Sequence, residues 1–105
     1  MKRGDVWWVE LDAVSDNEIL KTRLCLIVSP DEMIAELGTV VVAPMVRQGQ
    51  AASFRPAITL KEVSGVLVLD QIRAVETSRL KTRMGRIDDK SLNGVLATLR
   101  AMFAV

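Results

Sequence analysis

A chain of 105 residues that is 50% hydrophobic and 26% charged has the balance of a single globular domain spanning residues 1–105, not of a disordered segment. With 14 basic and 13 acidic side chains its net charge is +1, so bulk charge does not point to a polyanion and any such site must be a local cluster of arginines. The absence of histidine, the single cysteine and the lack of GxxxxGK[ST] or GxGxxG loops exclude zinc centres, histidine or cysteine catalysis and the usual nucleotide cofactors.

Asp5–Leu11 reads DVWWVEL, a β-branched and aromatic run that predicts a first strand. Trp7 and Trp8 are adjacent, so a strand sends them to opposite faces, one into the core and the other outside. Residues 12–22 are polar and long for a hairpin, which predicts a loop. Residues 23–29 (RLCLIVS) predict a buried strand in which Cys25 is a small core residue. A short helix should follow, with Ser29 as its cap, Pro30 at its first position and Gly38 at its end. Thr39–Val46 predicts another strand, and Pro44, which has no N–H for the ladder, predicts an edge or a bulge. The glutamine, glycine and alanine segment 47–55 is expected to be mobile, and a short strand at Ala57–Leu60 and a turn at 61–65 come next. Residues 66–75 (VLVLDQIRAV) read as one continuous strand, 76–81 as a helical turn and 83–87 as a last short strand. From Asp88 onward, Leu92, Val95, Leu96, Leu99, Met102 and Phe103 recur at spacings of three and four. That pattern predicts a terminal amphipathic helix, capped by Asp88 or Asp89 and slightly weakened by Gly94.

The whole is mainly β with helices (α+β): a strongly bent antiparallel sheet or small barrel closed by the terminal helix. No stretch approaches the roughly 20 apolar residues of a membrane helix, and the opening MKRGD leads straight into a strand, so a cytoplasmic protein is expected. The reactive inventory is arginine, carboxylate and hydroxyl. Those groups can still drive phosphoryl transfer when the substrate brings its own nucleophile, as RNA does with its 2′-hydroxyl.

Three stretches stand out together: RGDVWWVELD at 3–12, KTRLCLIVSP at 21–30 and GVLVLDQIRAV at 65–75. In order and spacing they resemble the MazF/PemK family of ribosome-independent endoribonuclease toxins, and the resemblance spans nearly the whole chain. It implies an SH3-like bent antiparallel barrel of the CcdB/MazF kind, closed by the C-terminal helix, and a homodimer. The activity it implies is metal-independent, sequence-specific cleavage of single-stranded RNA through a 2′,3′-cyclic phosphate, which inhibits translation. A cognate antitoxin is implied too, with a disordered tail over the RNA groove, and operator DNA would be reached only through that antitoxin. No metal or organic cofactor is implied.

The same resemblance assigns candidate residues. Arg23 stands where the family has the arginine opening its second strand, where it can act as acid or clamp at the scissile phosphate; otherwise it is an exposed strand-end arginine. Asp70 matches the aspartate of the family's DQ pair, proposed in PemK-like members as base on the 2′-hydroxyl; otherwise it is a buried carboxylate bonded to backbone. Gln71 completes that pair. Arg73, on the same face as Gln71 and opposite Asp70 and Ile72 if the strand alternates, can contact phosphate or pair with a carboxylate. Glu18 matches the glutamate of the family's GSEQ or GHEQ loop, and Asn17 stands where PemK-like members carry histidine; both can equally be solvated loop residues. Arg47 and Arg55 flank the 47–55 segment and can supply local positive charge or remain solvated. The outer tryptophan can stack a base or pack a dimer partner.

Three departures bear on activity. Where the family reads P-x-T after its third strand, this chain has Pro44-Met45-Val46, and the near-isosteric valine lacks a hydroxyl worth about 2.7 to 4 kcal/mol if it bonds the transition state. The first loop has Ala13-Val14-Ser15-Asp16 in place of P-T-x-G, and Arg23-Leu24 replaces R-P. Two alternatives therefore stand beside the nuclease. One is a catalytically weakened member that binds RNA or antitoxin and co-represses its operon. The other is a CcdB-like gyrase inhibitor, which the ending Met102-Phe103-Ala104-Val105 disfavours because that inhibition depends on a tryptophan-glycine-isoleucine terminus.

Overall fold

The central strands are built from the Val-, Ile-, Leu- and Trp-rich runs. These are β1 (Asp5–Leu11), β2 (Lys21–Ile27) and β3 (Thr39–Val46), in a computed structural model that describes residues 1–11 and 21–105. Asn17 and Glu18 lie outside the described residues. Antiparallel register places Trp7 opposite Cys25 and Trp8 opposite Leu24. Trp8 packs with Val6, Leu24, Leu26, Ala43 and Met45 in a larger apolar cluster, whereas Trp7 packs with Val9, Cys25, Ile27, Val40 and Val42 in a smaller one. Strand alternation thus separates the tryptophans as expected, but neither is outside: both faces of the sheet are apolar and both rings are half-buried. Cys25 is fully buried in the smaller cluster, and burial pushes its thiol up to about 12, so it serves as packing and not as a nucleophile.

Four further strands, β4 (Ala57–Leu60), β5 (Val63–Leu67), β6 (Arg73–Glu76) and β7 (Leu80–Arg86), complete a 7-stranded sheet. Its order is β4-β5-β3-β2-β1-β7, with β6 paired to β3 off this path. One edge of β3 serves two partners: Thr39, Val40, Val41 and Val42 pair with β6, and Met45 and Val46 pair with β5. Pro44 sits at the handover, opposite Cys25 on the other side, and its carbonyl accepts the Val68 amide at 2.8 Å. The proline is therefore in the middle of the sheet and not at an edge. Its N and C=O point the same way along a strand, so the missing N–H falls in the gap between two partner strands.

The same handover breaks the strand expected over 66–75. Leu67 faces Met45 and Arg73 faces Val42, so residues 68–72 are set against Ala43 and Pro44 alone. The excess chain is extruded as a 3-10 turn at Leu69–Gln71. Asp70 and Gln71 thus ride on a turn, and the alternation used to orient Arg73 against them does not hold. Arg73 instead faces Val42 from β6.

One other expectation changes. In α1 (Asp31–Leu37) Pro30 occupies the cap position and Ser29 does not cap the helix. The chain is still extended at Pro30, and the Ser29 hydroxyl accepts the Val41 amide at 2.9 Å, while Asp31 accepts the Arg3 amide at 2.8 Å. Gly38 ends α1 as expected, with φ 65° and its N–H donating to Ile34 O at 3.1 Å. Within the 47–55 segment the chain folds back on itself where the amides and carbonyls of Ala52 and Arg55 bond reciprocally at 3.1 and 3.0 Å.

α2 (Asp89–Phe103) starts as the sequence indicates: Asp88 Oδ1 accepts the Ser91 amide at 2.6 Å. Leu92 and Val95 are buried in the larger cluster, Leu96, Leu99 and Met102 pack against it, and Phe103 at the helix end is exposed. On the far side of β1, β7 carries two register shifts, at Val6/Trp7 and Trp8/Val9, which add twist. The sheet curls so far that a Cβ on Gly85 of β7 would lie 3.4 Å from Leu60 of β4, at the other end of the strand order. The result is a curled antiparallel half-barrel with α2 packed on its larger cluster.

Candidate functional site

β2 and β3 are paired only at Cys25–Pro44, Leu26–Ala43 and Ile27–Val42. Beyond the Cys25–Pro44 rung the strands part, and a groove of about 400 Å³ opens between Trp8, Thr22, Arg23, Val46, Arg47 and Gln48. Three candidates meet there: Arg23, Val46 and Arg47, all exposed. Val46 is 46% exposed and lines the groove together with Arg23. It is held there by β5. An added Cβ on Gly65 would come within 2.7 Å of the Val46 carbonyl oxygen and 3.0 Å of Met45 Cε, an approach that only glycine permits.

Asp70 does not line this groove. It is exposed on its 3-10 turn and gripped by Arg55 through a two-pronged ion pair, Nε to Oδ1 at 3.0 Å and Nη2 to Oδ2 at 2.8 Å. The expected alternative, a buried carboxylate bonded to backbone, is therefore not what the fold provides. The Arg55 hydrogen bonds hold the Asp70 carboxyl below the usual carboxylate range, and the carboxylate in turn raises the guanidinium. The turn is tied to β3 by the Val68 amide on the Pro44 carbonyl, and Pro44 faces Cys25. Arg23 and Asp70 are thus each two residues along the chain from partners in one short row, Cys25–Pro44–Val68.

Gln71 is exposed beside Asp70. Arg73 is half-buried in a separate depression of about 190 Å³ bordered by Glu10, Glu76 and Arg79. Thr22 and Gln48 line the groove although neither was a candidate from the sequence, and Trp8, of the tryptophan pair weighed there, lines it as well. Nor does the sequence reveal the Arg55–Asp70 pair, whose members stand on two separate irregular segments.

The family model described as PemK-like, MazF-like toxin of type II toxin-antitoxin system matches residues 2–103. The chain belongs to this family. Among curated relatives of this PemK/MazF-family chain, endoribonuclease PemK of Escherichia coli is 33% identical over 107 residues, covering 94% of this chain and 79% of that protein. Endoribonuclease EndoA of Bacillus subtilis (strain 168) is 27% identical over 111 residues, covering 100% and 96%. Among solved structures, MazF (Form-I) from Deinococcus radiodurans superposes with a TM-score of 0.82 at 20% identity, covering 100% of this chain and 97% of that one. An endoribonuclease in complex with its cognate antitoxin, from Mycobacterial species, gives 0.81 at 18% identity, covering 96% and 92%. At those identities the structures speak for the fold, and the fold they share is the curled half-barrel with its C-terminal helix that the sequence resemblance implied.

Proposed function

We propose that this PemK/MazF-family chain is a toxin endoribonuclease that cuts single-stranded RNA at specific sequences without a metal, and so inhibits translation. The observation that carries this reading is the groove where β2 and β3 part, with Arg23, Val46 and Arg47 exposed along it. The curated relatives, named as endoribonucleases, support it. In this reading a phosphate of the RNA lies against Arg23, a fixed cation whose planar fork suits phosphate oxygens and stabilises the charge that develops on them. Asp70 takes the proton of the 2′-hydroxyl as that oxygen bonds phosphorus, the bond to the 5′-oxygen breaks as that oxygen takes a proton from water and leaves as a hydroxyl, and a 2′,3′-cyclic phosphate remains. Arg47, Arg55, Gln71 and Arg73 supply further contacts along the strand, with Asn17 and Glu18 contributing from the first loop. The working form is a cytoplasmic homodimer. A cognate antitoxin is the partner, its disordered tail covering the groove, and operator DNA is reached only through it; the structural neighbour solved in complex with its cognate antitoxin supports such a partner.

A second reading has its own support: Val46 presents methyl groups where a hydroxyl would assist Arg23, and Asp70 is engaged by Arg55. In that reading the chain binds RNA or antitoxin and turns over slowly.

One experiment separates the two. Purified protein is incubated with a long single-stranded RNA in EDTA, the cut ends are mapped, and wild type is compared with Arg23→Ala and Val46→Thr. The nuclease reading expects specific cuts with cyclic-phosphate ends, lost in Arg23→Ala and made about a hundredfold faster in Val46→Thr, the range of one transition-state hydrogen bond. No cleavage by wild type or by Val46→Thr would leave the binding reading.

A further inference from the structure

We propose that the Arg55–Asp70 pair is a clasp released by substrate: Arg55 holds the Asp70 carboxylate while the groove is empty, and gives it up when an RNA phosphate takes the guanidinium. The proposal rests on the reading of Asp70 as base and names what controls it.

Four observations lead here. The pair is two-pronged yet open to solvent, with side chains 46% and 45% exposed, so a competing anion can reach it. A phosphate presents oxygens to the guanidinium fork as a carboxylate does, which makes exchange of one for the other geometrically simple. Both members stand outside the paired strands: Arg55 closes the turn with Ala52, and Asp70 rides on the 3-10 turn extruded opposite Ala43 and Pro44, so parting them breaks no sheet pairing. Finally, the segment ending at Arg55 begins with Arg47 and Gln48 in the groove wall, so one short stretch of chain joins the groove to the clasp.

The chemistry gives the clasp a purpose. A carboxylate bonded twice to a guanidinium is a weak base, and its basicity rises when the cation leaves. Among the described residues Arg55 is the charged side chain acting on Asp70; the other influences are partial desolvation and the backbone of its own turn. Asp70 would therefore be quiet in the empty protein and competent once RNA is bound. Arg55 is a positioning residue in this scheme, because it acts on the reaction through Asp70.

The test is the pH dependence of cleavage of a short single-stranded RNA oligonucleotide by wild type, Arg55→Gln, Arg55→Lys and Asp70→Asn. The acid limb of kcat/KM reports the free protein and that of kcat the complex. In wild type the clasp puts the kcat/KM limb at lower pH than the kcat limb. In Arg55→Gln the kcat/KM limb moves up to meet it and KM rises about tenfold, as expected for losing a charge-assisted contact. Arg55→Lys, which keeps the charge, restores part of the separation, and Asp70→Asn removes the limb. Coincident limbs in wild type, or an unchanged profile in Arg55→Gln, overturn the clasp while leaving the nuclease standing. Survival of the limb in Asp70→Asn overturns the clasp together with the role of Asp70 as base. Absence of any cleavage defeats the nuclease reading and the clasp with it.

Discussion

Gly65 and Gly94 show how differently one residue type can be used. At Gly65 a side chain would collide with the Val46 carbonyl, a backbone atom fixed in β3, whereas at Gly94 in α2 nothing lies within 4 Å of an added Cβ. Gly65→Ala should therefore destabilise the protein by about 1 to 3 kcal/mol, the range for overpacking, and should slow any cleavage because Val46 is displaced from the groove wall. Gly94→Ala should stabilise by about 1 kcal/mol, since it only removes the entropic weakness of a helical glycine. Urea unfolding of the two variants checks both signs; destabilisation in both, or in neither, would contradict the packing described. At this scale the sequence was legible where a residue acts through its own strand. Val46 could be placed at the end of β3, and Arg23 near the start of β2, because continuous apolar runs mark those strands, although β2 begins at Lys21, two residues before the expected start. The Arg55–Asp70 pair could not, because two irregular segments meeting in space leave no periodic trace.

Among the elements, α2 was the most readable, because its cap, its apolar stripe and its length all point the same way. Asp88 lies below the usual carboxylate range chiefly because it accepts the backbone N–H of Ser91, with the Ser91 side chain adding to this. A carboxyl depressed on folding adds stability above its unfolded value, about 3.9, and that contribution disappears as pH falls through the folded value. Asp88→Ala should consequently melt earlier than wild type near pH 7, and the two melting curves should converge as the pH is lowered beneath the carboxylate range. A gap that persists in strong acid would mean the aspartate acts otherwise than through its charge. The run 66–75 was the least readable element. Its residues are apolar enough for one strand, but whether a run stays in the ladder is decided by its partner. Between Met45 and Val42, β3 offers fewer positions than the run has residues, so the chain must step out of the sheet. The edge alternative for Pro44 failed for the same reason: its tolerance in the middle of a sheet depends on a gap that the handover from β6 to β5 creates.

Across the whole molecule, local pattern alone indicated a bent antiparallel sheet with a terminal helix, while the barrel type came from the resemblance in three motifs. Neither strand order nor curl follows from alternation, since β4-β5-β3-β2-β1-β7 is fixed by which apolar faces cover one another. The sheet is buried on both sides, which is how a chain with half its residues hydrophobic can dispose of them. One further property follows from that layering. Trp7 and Trp8 touch along the chain but report from different layers, Trp7 with its buried indole N–H unpartnered among the described residues and Trp8 against the larger cluster. The protein therefore carries two natural fluorophores, one for each side of its sheet. Trp7→Phe and Trp8→Phe would leave one emitter apiece, and if the layers melt as a unit each variant's fluorescence curve will coincide with its own circular-dichroism curve. A gap between the two signals in either variant would instead resolve one face of the sheet loosening before the other.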